Sequence, residues 1–174
     1  MKSRAFKLLA LSVLAALSAA VVVHRSGTAI ATPASPGFVS AILAKSFFEQ
    51  IRVNTGHRDD DTSANLVRIL AKDPSDVYVV QNTVAAGADS GWHTHPGPSV
   101  VLVKSGVASV YAGDDPSCAP VTYPAGTGFI DTGVGHVHLV RNTGSGPLVT
   151  VAFQIVPMGA SRRIDAPNPG FCPF

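Results

Sequence analysis

The chain has 174 residues, enough for one domain with a proper core and too few for two of ordinary size. Its 13 Lys and Arg against 11 Asp and Glu give a formal charge of +2, but the N-terminus supplies much of that basic character. Lys2, Arg4 and Lys7 precede an apolar run over residues 8–23, and Ala29-Ile30-Ala31 follows as a small-x-small site. Basic start, apolar middle and small-residue exit read as a secretory signal peptide, residues 1–31, cleaved after Ala31. An uncleaved membrane anchor is the alternative, because the run approaches spanning length. Loss of Lys2, Arg4, Lys7 and Arg25 leaves nine basic residues against eleven acidic ones, a formal charge of −2. That balance excludes a basic footprint for nucleic acid or for an acidic membrane surface. The expected location is secreted or extracytoplasmic, with no membrane contact after cleavage.

Residues 32–37, with Pro33 and Pro36, read as a linker, and residues 38–174 as a single domain. The apolar pattern of residues 38–51 fits a helix at least as well as two strands. Residues 57–63 are polar and carry Asp59, Asp60 and Asp61; they lack the spaced ligands and glycine of a calcium loop, so a solvated loop is expected. Beyond them, strands are expected over residues 77–84, 99–103, 107–111, 121–123, 129–130, 137–140 and 148–156. Lys104-Ser105-Gly106 between two of these reads as a hairpin turn. Short strands with Gly/Pro turns argue for an all-β sandwich or barrel, followed by an irregular tail after Pro157. No repeat array, coiled coil, nucleotide-binding glycine motif, Ser/His/Asp order or CxxC pair suggests another chemistry.

Cys118 and Cys172 are the only cysteines. In an exported chain they are expected to form one disulfide that pins the tail to the loop at Asp114-Asp115-Pro116. Neither has a Cys or His neighbour that would suggest a metal ligand.

Four of the six histidines fall into two pairs, His93-Thr94-His95 and His136-Val137-His138. On a strand, a two-residue period turns both rings of a pair to one face. Imidazoles fixed side by side in this way suit a transition metal.

Around these pairs the chain resembles the cupins. That family's first motif is Gly, five residues, His-x-His, three or four residues, Glu, six residues, Gly. Gly87, His93, His95, Ser99 and Gly106 keep this spacing, with serine where glutamate is usual. The second motif is a Pro-x-Gly turn, then a histidine, three residues and an asparagine; Pro124-Ala125-Gly126, His138 and Asn142 supply its two ends. Eleven residues separate Gly126 from His138 where the family usually has two, and this insertion carries His136. The resemblance spans residues 77–156. It implies a cupin-type β-barrel, a double-stranded β-helix or jelly roll, with motifs at residues 87–106 and 124–142.

It also implies His93, His95 and His138 as ligands of a divalent transition metal: Fe, Zn, Ni, Cu or Mn. His136 is a candidate fourth ligand, substrate contact or proton carrier. Ser99 and Asn142 are candidates for contact with a substrate or with the ligands. Without the glutamate the expected donors are neutral imidazoles, which suit Zn, Cu, Fe and Ni better than Mn. An oxidoreductase or dioxygenase acting on a small organic molecule is expected, with a non-catalytic metal- or ligand-binding module as the alternative; a homodimer is a candidate assembly. Trp92 is expected to pack outside the barrel, and Tyr78, Tyr111 and Tyr123 within the sheets. Arg141 is a weaker candidate for an anion contact. Arg162-Arg163-Ile164-Asp165 is expected to form surface ion pairs or to close over a barrel end.

Overall fold

The computed structural model describes residues 30–56 and 66–174, and among these every regular element is a strand. In order they are β1 (Phe38–Phe48), β2 (Ile51–Asn54), β3 (Arg68–Ala71), β4 (Ser75–Val84), β5 (His93–Thr94), β6 (Ser99–Ser105), β7 (Val107–Ala112), β8 (Val121–Pro124), β9 (Gly128–Asp131), β10 (His138–Asn142), β11 (Leu148–Pro157) and β12 (Ile164–Asp165). Most of the expected signal peptide (residues 1–29), His57 and the aspartate run lie outside the described residues.

Two five-stranded antiparallel sheets face each other, in the orders β1-β4-β11-β6-β9 and β12-β5-β10-β7-β8. Without the flanking β1 and β12, each is a four-stranded jelly-roll sheet, and the chain passes repeatedly from one to the other. β11 shows why these residues form these strands. Leu148, Thr150, Ala152, Gln154 and Val156 are buried, while the residues between them turn outward. β6 alternates likewise, burying Ser99, Val101 and Val103. Both strands run from a polar inner end, Ser99 and Gln154, to an apolar one. There Val84, Ala88, Val103, Ala108 and Leu148 close the barrel, each large aliphatic contributing about 2 kcal/mol by its burial. One end of the interior is filled, and the other is left for a site.

Residues 38–51 form strands, not a helix. β1 pairs along its length with β4, from Phe38 opposite Val84 to Phe48 opposite Ser75, with an irregularity between Ile42 and Ala44. That extra residue shifts the two-residue alternation in mid-strand, which is why the sequence pattern imitates a helix. The turn after β6 is not a hairpin either. β6 pairs with β11 and β9, whereas β7 pairs with β10 and β8. Gly106, at φ 78° and with the carbonyl oxygen of Pro147 only 3.0 Å from where a Cβ would stand, carries the chain between sheets. The inner faces of β6 and β7 therefore belong to opposite sheets of the core.

Residues 32–37 are docked, not free. Thr32 Oγ donates to the Ala166 carbonyl (2.9 Å) and accepts from the Trp92 amide (2.9 Å), and Ser35 exchanges hydrogen bonds with Asp89. The tail after β11 also carries a two-residue strand, β12, paired with β5. Cys118 and Cys172 are disulfide-bonded, with Cα atoms 5.4 Å apart. Beside them Trp92, Tyr111, Leu139 and Ala166 form a buried cluster between the tail and the second sheet.

Candidate metal centre

His93 on β5 lies directly opposite His138 on β10, so cross-strand pairing sets their rings 4.3 Å apart between centroids. His95 follows β5, two residues along, with its ring 5.0 Å from that of His93 and 5.5 Å from that of His138. All three are buried, and their candidate ligand nitrogens lie within 4.8 Å of one another.

Two backbone carbonyls settle which nitrogens are free. His93 Nδ1 donates to the Gly91 carbonyl at 2.9 Å, and His95 Nδ1 to the Arg162 carbonyl at 2.5 Å. A carbonyl can only accept, so each Nδ1 holds the hydrogen and each Nε2 keeps its lone pair. Burial first, then the neighbouring His138, Arg163 and His95, holds His93 well below its ordinary pKa. Burial also lowers His95, against the raising effects of the Arg162 carbonyl and the Asp131 charge. His138 is pushed down to about 4, mainly by burial, despite the nearby Asp131. All three are neutral at pH 7, as metal ligation requires.

Asp131 stands outside the residues that the sequence motifs single out. It ends β9 directly opposite Ser99 on β6, and opposed residues of an antiparallel pair share a face. A buried carboxylate therefore stands beside Ser99 on the inner face. Asp131 is 3% exposed. Its Oδ1 accepts from the Gly133 amide at 3.2 Å and from His136 Nδ1 at 2.9 Å. Its Oδ2 has no hydrogen-bond partner and lies 3.9 Å from His95 Nε2. Ser99 Oγ accepts from Gln154 Nε2 at 3.0 Å, and the same nitrogen lies 3.3 Å from His95 Nδ1. Buried polar atoms are normally paired. The three buried imidazoles, whose candidate ligand nitrogens lie within 4.8 Å of one another, fit a divalent metal, and Asp131 forms a second such group with His136 and His138.

The insertion before β10 helps hold this arrangement. Val134 N donates to the His95 carbonyl at 2.7 Å, and a Cβ on Gly133 would come within 2.3 Å of the Gly97 carbonyl oxygen. Gly133, at φ 67°, is the residue that allows this close approach. His136 sits in the same turn with its side chain 44% exposed. It does not join the inner cluster; with Asp131 and His138 it lines a second, outer hollow.

Asn142 also stands apart from the cluster. Its Nδ2 donates to the Val84 and Gly146 carbonyls, both at 2.8 Å, and its Oδ1 accepts from the Gly144 amide, so it fastens the turn after β10. Trp92 packs under the tail as expected, and none of the three tyrosines lines the histidine cavity. Arg141 lies over the Phe174 ring at 4.5 Å. Arg162 and Arg163 do reach the cavity. Its volume is about 70 Å³, and its walls include Val80, Val101, Phe129 and Val140.

Two jelly-roll sheets, with His93 on β5, His95 just after it and a third histidine opposite His93 on β10, reproduce the sequence resemblance in space. The fold is a double-stranded β-helix, the jelly-roll barrel that the sequence resemblance implies. No family model matches the chain, and no curated protein sequence does. Among solved structures it is similar to a protein with a double-stranded β-helix domain from Klebsiella pneumoniae subsp. pneumoniae, 24% identical over 68% of this chain and 84% of that one, TM-score 0.44. A cupin domain from Bordetella pertussis is 19% identical over 69% and 94%, TM-score 0.45. A cupin superfamily protein from Desulfitobacterium hafniense is 13% identical over 68% and 77%, TM-score 0.44.

Proposed function

We propose that this chain is an exported metalloprotein whose cupin barrel holds a divalent transition metal through His93, His95, His138 and Asp131, and that it acts as an oxidoreductase of dioxygenase type on a small organic molecule. The observation that carries this reading is the unpaired Asp131 Oδ2 beside His95 Nε2, within a cluster of neutral, buried imidazoles. With a carboxylate among the donors, iron and manganese suit the site as well as zinc, nickel or copper. Bound there, the ion would supply Lewis-acid and, for a redox metal, electron-transfer chemistry.

The protein's own part is to fix the donors. The Gly91 and Arg162 carbonyls orient two rings, while His136 and the Gly133 amide hold Asp131 through Oδ1 and leave Oδ2 available. A cavity of about 70 Å³ beside the donors leaves room for a small molecule, which favours an enzyme over a closed structural site. The disulfide supports export, since such bonds persist in oxidising compartments.

The test is elemental analysis of anaerobically purified protein, followed by oxygen uptake with an iron-loaded sample and a panel of small organic acids. About one metal per chain and substrate-dependent oxygen consumption are expected. Absence of metal would overturn the centre. Full metal content without oxygen use across the panel would replace the oxidoreductase by a binding module.

A further inference from the structure

We infer that the cavity takes a small organic acid and that Arg162 is the side chain that holds its carboxylate. The inference rests on the metal-centre reading above and names the ligand class for that same site.

The tail after β11 is tied back across the cavity at several points. The Gly159 amide donates to Asp76 Oδ2 (3.0 Å), the Arg162 carbonyl accepts from His95, and β12 pairs with β5. This path brings two adjacent guanidinium groups to the cavity wall. Their surroundings differ. Arg163 is committed, its Nε to Asp165 Oδ1 at 2.6 Å and its Nη2 to the Ser90 carbonyl at 2.6 Å. Arg162 has a single side-chain hydrogen bond, from Nη2 to Ser40 Oγ at 2.8 Å, and no carboxylate within ion-pair distance among the described residues.

A guanidinium carries five donors in a planar fork that matches a carboxylate. Arg162 is partly buried, lies beside a like charge, and spends one donor on a neutral hydroxyl. The charge in the cavity points the same way. The histidines are neutral, Arg163 is balanced by Asp165, and Asp131 alone faces both Arg162 and a divalent ion, so the loaded site is positive and favours an anion. Size narrows the class. A cavity of about 70 Å³ has space for roughly five waters. That suits an acid of a few carbons, whose chain lies on Val80, Val101 and Phe129.

The test is calorimetric titration of the purified, zinc-loaded protein with malonate and with its neutral counterpart malonamide. Malonate is expected to bind at least about tenfold more tightly than malonamide. Arg162→Gln should weaken malonate about tenfold or more while zinc content and melting temperature stay at wild-type values. Arg162→Lys, which keeps the charge and loses the fork, should recover part of the loss. Equal malonate affinity in wild type and Arg162→Gln, or equal affinity for the two probes, would overturn the inference. Repeating the titration without zinc separates the two readings. Wild-type protein that takes up no zinc refutes the metal centre, whereas malonate binding that Arg162→Gln still weakens in that sample supports the acid site by itself.

Discussion

The first histidine pair, His93 and His95, sends both rings into the barrel, whereas the second divides, with His138 inside and His136 half exposed in a turn. Their spacing is identical and their backbones are not. In the second pair only His138 lies in β10. His136 belongs to the Gly133 to Gly135 turn, whose three residues all have positive φ, and a two-residue alternation has no meaning there. The difference teaches that His-x-His predicts a shared face only when both residues lie in or against the sheet. It also shows what the displaced ring does. His136 donates to Asp131 Oδ1, so the insertion that takes one histidine out of the cluster gives the carboxylate a fixed orientation.

Four experiments sharpen or break this contrast. The largest effect is expected from His93→Ala or His138→Ala, either of which should take bound metal from about one per chain to near zero by elemental analysis. Wild-type metal content in both variants would remove the site altogether. Asp131→Asn comes next, with metal affinity reduced about 10–100-fold by competition with a chelator. Adding Ser99→Glu to that variant should restore part of the loss from the opposite strand, and no change in Asp131→Asn would leave an all-imidazole centre.

The third is the pH dependence of the metal-free protein. The inner histidines have lowered pKa values in the fold, His138 at about 4, against about 6.5 in an unfolded chain. As pH falls from about 6.5 the unfolded chain takes up protons before the folded one, so stability is full above that pH and declines towards pH 4. Melting temperatures of chelator-treated protein should fall across this window, and a flat profile would contradict neutral buried rings. The smallest effect is expected from His136→Ala, a loss of metal affinity of a few-fold, on the order of one hydrogen bond to a charged group weakened by exposure. A loss as large as that in His138→Ala would place His136 among the ligands and end the contrast.

Much of the barrel was legible from the residues themselves. Runs of β-formers in β4, β6 and β11 and the glycine punctuation between them announce strands, and the frame from Gly87 to Gly106 places His93 and His95. His138 was legible through its spacing from Asn142, although Asn142 proves to fasten a turn. The bulge in β1 obscured a strand by breaking its alternation, and the crossing at Gly106 looked like a hairpin because a local turn signal does not say which sheet the next strand joins. Asp131 was not legible because nothing in its own neighbourhood distinguishes it from other aspartates in turns. Arg162 was placed near a barrel end, but its lack of an acidic partner is a fact of the folded tail.

The pairing of Ser99 with Asp131 has a consequence for how such sites are inherited. A donor that moves sideways between adjacent strands keeps its place in the barrel while leaving its place in the linear motif. Two chains can therefore share a coordination sphere and differ at the very column by which an alignment would score it. What descent must preserve is the register between β6 and β9, since a slip of one residue would turn the carboxylate to the outer face. Chains with a polar residue at the glutamate column are best read with the partner strand beside them, one residue against one residue, before their metal chemistry is written off.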